Sequence, residues 1–197
     1  METENPLSRR ESKKRSTREN LLHAALTLIR EQGYEAVTVA NITEAAGTAK
    51  GTFFNYFDSK ADVLAAWYET ASRPPDGVKF RSLKEALDLA VYKPLDALTA
   101  EPELLAAKIA HENENASVAR AEAEFDQRLI DILTTALIKE EKQTGPLPVS
   151  ASDLASLIVA ILTGAAREWR IKGGKQRLSA LARRRMKTLF ALIDRTN

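Results

Sequence analysis

Residues 33–60 read GYEAVTVANITEAAGTAKGTFFNYFDSK. Thr38 is an N-cap candidate for a short helix whose Val39, Ile42 and Ala46 share one face. Gly47 supplies a tight corner, and a second short helix is expected over residues 48–55. Two short helices joined by a glycine turn are the layout of a helix-turn-helix, whose second helix lies in the DNA major groove. Ala45, Ala46 and Gly47 are small where the two helices must cross closely. Thr48, Ala49, Lys50, Gly51 and Thr52 place hydroxyls, an ammonium and bare backbone at the start of the second helix. Its partly positive end suits phosphate, while Lys50 can reach guanine O6 and N7 and Thr52 a base edge or methyl group. Phe53 and Phe57, four apart, are expected to hold it to a three-helix core.

Outward from this motif, Ser16-Thr17-Arg18-Glu19 has capping-box spacing, so the first helix is expected to begin at Ser16. Leu21, Leu22, Ala25, Leu28 and Ile29 give it one apolar stripe, and Gly33 ends it. Ser59-Lys60-Ala61-Asp62 starts a fourth helix carrying Val63, Leu64, Trp67 and Tyr68. Residues 72–77, SRPPDG, form a linker. Ser82 caps a fifth helix, expected to stop or kink around Pro94. Further helices are expected over 102–115, 118–142, 152–170 and 178–194, for about nine in an all-α chain.

Among 197 residues there is no cysteine, which excludes disulfides, thiolate metal sites and cysteine nucleophiles. Residues 1–18 lack the apolar centre of a secretory signal. The longest apolar run, 154–166, is shorter than the roughly 20 residues a membrane span needs. A cytoplasmic location fits these features. The net charge of +2 says little, but its distribution is uneven. Arg9, Arg10, Lys13, Lys14, Arg15 and Arg18 face Glu11 alone, whereas residues 101–126 are acidic. Only the basic front end is expected to meet phosphate. No Gly-rich phosphate loop, Gly-x-Ser-x-Gly elbow or His-Glu-x-x-His occurs, and the two histidines, His23 and His111, are far apart in sequence. Neither an enzyme, a cofactor nor a metal site is expected.

The capped first helix, Gly33-Tyr34, Thr38-Val39, Ile42, Ala45-Ala46-Gly47, Lys50-Gly51-Thr52-Phe53, Tyr56-Phe57 and Ser59-Lys60 resemble, in register, the TetR family of bacterial transcriptional regulators. Beyond residue 71 the resemblance is one of length and helix number. It implies that Lys50, Gly51, Thr52 and Phe54 face the groove, and that Thr38, Thr48, Tyr56 and Lys60 hold phosphates. Ala49 and Asn55 complete the DNA-binding set. Phe54 stands where the family often has tyrosine, so a hydroxyl contact is missing.

The helix over 152–170 is apolar nearly all round, and the last helix is amphipathic. Leu154, Leu157, Ile158, Ile161, Leu162, Ala165, Leu181, Leu189, Phe190 and Ile193 are expected to build half of an intermolecular four-helix bundle, as the last helices do in the family. A homodimer would present two recognition helices to a palindromic operator on double-stranded DNA. By the same resemblance, helices four to seven enclose a small-molecule pocket, with Trp67, Tyr68, Tyr92, His111, Asn115 and Phe125 as wall candidates. The expected organisation is a basic flexible arm (1–15), a helix-turn-helix DNA-binding domain (16–60) and a helical ligand-sensing and dimerisation domain (61–197). The expected function is a repressor released by an effector. A regulator that is effector-independent or answers to a protein partner is the competing reading, and a helical protein that never meets DNA is the third.

Overall fold

The computed structural model describes residues 6–74 and 78–193. Residues 1–5 of the basic arm, Pro75, Asp76 and Gly77 of the linker, and the expected last helical residue, Asp194, lie outside them. The described residues are helical with no strand. In chain order they form α1 (Pro6–Gln32), α2 (Val39–Ala45), α3 (Lys50–Phe54), α4 (Ala61–Ala71), α5 (Leu83–Ala86), a π-helical turn (Leu87–Tyr92), α6 (Lys93–Thr99), α7 (Pro102–His111), α8 (Ala116–Thr144), α9 (Ala151–Ile171) and α10 (Leu178–Ile193). Residues 83–99 run on without a break, so the helical rods among the described residues number nine, as expected.

Helix α1 begins at Pro6, ten residues before Ser16. Arg, Lys and Glu between them favour the helix, and Pro suits a first position. The Ser16–Glu19 spacing therefore sits inside a helix already under way. There Thr17 Oγ1 donates to the Lys13 carbonyl at 2.9 Å, and Arg15 pairs with Glu19 at 3.8 Å.

Pro94 does not stop its helix. Proline lacks an N–H and crowds the carbonyl four residues back. Just before it the chain widens into the π turn, where the Lys93 N–H donates to Asp88 O, five residues back. The wider turn absorbs the proline within one rod.

Two compact units form. The first contains the described residues up to 68 and residues 101–121. In it α1 packs on α2 and α7, and α2 on α3. Leu21, Ala25, Ile29, Ile42, Phe53, Val63, Leu64 and Leu104 are fully buried. Each large side chain among them contributes about 1.5–3 kcal/mol. Arg30 and Glu101 form a two-pronged pair at 2.8 and 2.9 Å. Lys108 is buried, bonded to Glu112 at 3.2 Å and 4.7 Å from the centre of the Tyr68 ring.

The second unit contains the described residues of 69–100 and those from 122 onward. Helix α10 packs on α9, α6 and the π turn. Leu133, Leu154, Ile158, Leu181 and Met186 are at most 2% exposed. Ser179 Oγ donates to Asp96 at 2.5 Å, and Arg183 bonds Asp88 at 2.7 Å while stacking 3.9 Å over Tyr92. Glu168 is bonded by Lys172 and Arg185, which together hold its carboxyl down at about 2.

Candidate nucleic-acid interface

Thr38 caps α2: its Oγ1 accepts from the Asn41 N–H at 3.2 Å, while Asn41 Oδ1 accepts from the Thr38 N–H at 3.0 Å. This reciprocal pair closes orphan backbone groups at the helix start. Within α2, the buried Thr43 hydroxyl donates to its own helix at Val39 O and Ala40 O. The corner comes at Gly47, with φ +63°, where the Thr48 N–H reaches back to Thr43 O at 2.8 Å. Helix α3 then runs for five residues, shorter than the expected 48–55, with Ala49 at its N-cap and no side-chain cap. So short a helix has little macrodipole.

Phe53 is fully buried and Phe57 3% exposed, with ring centres 5.4 Å apart. They clamp α3 to α1 and α2, as expected of them. Their burial turns Lys50, Gly51, Phe54 and Asn55 outward, together with Ala49. Phe54 is 49% exposed and meets Phe53 edge-on at 5.5 Å. Thr52 and Tyr56 are half-buried along one side of a cleft of about 520 Å³, whose other side is α1.

Two expected phosphate ligands are placed otherwise. The Thr48 Oγ1 is buried, with no hydrogen-bond partner among the described residues. Lys60 turns inward to the loop between α1 and α2. Its Nζ donates to Tyr34 O at 2.6 Å and Val37 O at 2.8 Å and sits 3.9 Å from the Tyr34 ring centre. Burial lowers the Lys60 pKa, and burial with nearby Glu35 and Asp62 pushes the Tyr34 hydroxyl up to about 12.

The candidate ligand residues fall apart into separate roles. Trp67, Tyr68 and Phe125 are buried packing residues. Asn115 caps α8, accepting from the Ser117 and Val118 N–H groups at 3.0 Å, and donates to Ser59 at 3.2 Å. His111 packs on Tyr34 with ring centres 4.7 Å apart and planes tilted by 50°, and lies 3.8 Å from both Glu35 and Glu114. Tyr92 alone of the six lines the cleft of about 980 Å³ in the second unit, with Leu83, Leu87, Met186 and Phe190 as apolar wall and Arg183 and Lys187 at α10. That cleft has no periodic signature, because its residues come from three separate segments. In the same unit Arg128 buries Nε and Nη2 with no hydrogen-bond partner among the described residues.

Of the ten expected interface residues, Leu154, Ile158, Leu162, Ala165, Leu181 and Leu189 are buried within their own chain, because the inner faces of α9 and α10 cover each other. Leu157 is 48% exposed, and Ile161, Phe190 and Ile193 are half-buried. No helix among the described residues is long and apolar enough to cross a membrane.

The family described as "Bacterial regulatory proteins, tetR family" matches residues 21–67. The HTH-type transcriptional regulator TcmR of Streptomyces glaucescens is 46% identical over 54 residues, which cover 27% of this chain and 24% of that protein. The HTH-type transcriptional repressor KstR2 of Rhodococcus jostii is 33% identical over 98 residues, covering 44% and 47%. The chain spans from about a quarter to about half of the length of the curated relatives it matches. The crystal structure of the regulator FadR from Bacillus subtilis in complex with stearoyl-CoA shares the fold, with a TM-score of 0.64 at 21% identity over 87% of this chain and 96% of that one.

Proposed function

We propose that this chain, a member of the tetR family of bacterial regulatory proteins, is a homodimeric repressor that a small-molecule effector releases from a palindromic operator. One observation carries the DNA-binding part: full burial of Phe53 holds Lys50, Gly51 and Phe54 outward on the exposed face of α3. Lys50 then meets base edges, Phe54 offers apolar contact to a thymine methyl, and Thr38 lies at the start of α2 beside the backbone.

Pairing rests on α9. Leu157, Ala160, Ile161 and Gly164 recur at i, i+3, i+4 and i+7, and Leu157, Ala160 and Gly164 are exposed. A Cβ at Gly164 would meet nothing within 4 Å, so a second α9 can approach closely. The two-fold operation repeats α3 on successive faces of the duplex. The effector reading draws on the cleft beside Tyr92 and, elsewhere in the same unit, on the buried Nε and Nη2 of Arg128, which an anionic group would satisfy. An effector acts by its unequal affinity for the DNA-competent and DNA-incompetent dimers.

The test is selection of duplexes from a randomised pool followed by footprinting. The expected product is an inverted repeat protected on both half-sites. Recovery of unrelated sequences without symmetry would defeat the reading. A metabolite panel that raises the melting temperature and lowers operator affinity supports the effector, whereas no response across the panel favours the effector-independent regulator.

A further inference from the structure

Arg10, Lys13, Lys14 and Thr17 recur at i, i+3, i+4 and i+7 of α1 and so share one face of the helix. Four residues on, the same face carries Leu21, fully buried in the three-helix core. The stripe thus changes from apolar to cationic where α1 extends past that core. These four side chains line the cleft of about 520 Å³ together with Thr52 and Tyr56, and among the described residues Glu11 is the one carboxylate in its wall. Arg15 is paired with Glu19, and Arg18 lies 5.1 Å over the Phe57 ring. Arg10, Lys13 and Lys14 are exposed and have no ion-pair partner among the described residues.

We infer that the first turns of α1 are a second DNA-binding element, which holds the sugar-phosphate backbone in this cleft beside α3. Among the described residues three cations face one carboxylate, a balance that favours an anion, and the Tyr56 hydroxyl adds a donor from the recognition side. Its position next to α3 matches it to the strand bordering the groove that α3 enters. These α1 residues lie outside the stretch matched by the family, 21–67. The inference rests on the reading of α3 as the groove-entering helix. It adds a helical arm that widens the footprint without reading bases.

The experiment measures how the logarithm of the binding constant falls with the logarithm of salt, on a duplex selected by the wild-type protein and on its scrambled counterpart. Each phosphate contact contributes a slope of about 0.9. The Lys13→Gln/Lys14→Gln variant is expected to lose about 1.8 of slope per protomer while keeping the preference for the selected duplex. Lys14→Arg keeps the wild-type slope. Lys93→Gln, which removes one charge from an exposed site on α6, also leaves it unchanged. Arg10→Gln, nearer the helix start, is expected to lose about 0.9 and replaces the double variant should that not fold. A double variant with native helical circular dichroism and the wild-type slope overturns the inference, as does an equal loss in Lys93→Gln. If the wild-type protein has no preference for any selected duplex, it is the reading of α3 that fails.

Discussion

Lys60 fastens the loop between α1 and α2 by donating to the backbone carbonyl of Tyr34 at 2.6 Å, across 26 residues of sequence. A second donation to Val37 O and the Tyr34 ring beneath the ammonium complete the clasp. The clasp lies directly before the Thr38 cap and so sets where α2 starts.

Replacing Lys60 by Met leaves two carbonyls without this donor. Hydrogen bonds from a charged group contribute about 1.5–3 kcal/mol each, and water repays part of that at this half-buried site. A loss of about 1–3 kcal/mol in denaturant unfolding is expected. Affinity falls for all duplexes with little change in salt slope. A variant of wild-type stability with a smaller slope would instead identify Lys60 as a phosphate ligand.

Lys50 and Thr52 act differently. Lys50→Ala and Thr52→Ala are each expected to lower discrimination at one or two base pairs by about 1–3 kcal/mol without changing stability. Competition binding against single-base operator variants reads this out. A uniform loss across all variants would remove either residue from base recognition.

On α9 the proposed pairing face and the buried face can be tested separately. Leu157→Asp and Ile161→Asp are expected to sediment as a folded 21.8 kDa species and to bind the operator at least tenfold more weakly. Ile158→Asp, one position from Leu157 but fully buried, is expected to unfold the chain. Equal sedimentation of Leu157→Asp and the wild type would place the pairing face elsewhere.

Arg30 holds the Glu101 carboxyl below the ordinary range by its two hydrogen bonds, partly offset by burial. A carboxyl lowered in the folded state stabilises above its unfolded pKa of about 4.3, and that contribution fades as pH falls through the folded value. Glu101→Gln is therefore expected to be less stable at neutral pH by about 0.2–1 kcal/mol, the range for a partly exposed pair. The difference from the wild type should vanish on acidification. A gap that persists in strong acid would assign it to packing.

What was legible in the chain was local. The Thr38 cap, the Gly47 corner and the Phe53–Phe57 spacing are relations over a few residues, and α2, the turn and α3 follow from them. The start of α1 was not, because a capping-box spacing does not reveal whether a helix already runs through it. Apolar periodicity marked α9 and α10 as buried without saying by what, so six residues expected at a partner face their own chain. Lys60 is the sharpest case. Its position at a helix start fits a phosphate contact, and only the fold brings Tyr34 O and Val37 O within reach.

The bend at Gly47 is governed by chirality, not by crowding. A Cβ placed there would meet nothing within 4 Å, yet the backbone sits at φ +63°. An L-alanine would carry a conformational cost of about 1–2 kcal/mol despite the free space. A D-alanine, installed by chemical ligation, prefers that torsion and should leave α2 and α3 as they are. The corner before α3 thus depends on one achiral centre, which among encoded residues only asparagine and aspartate approach.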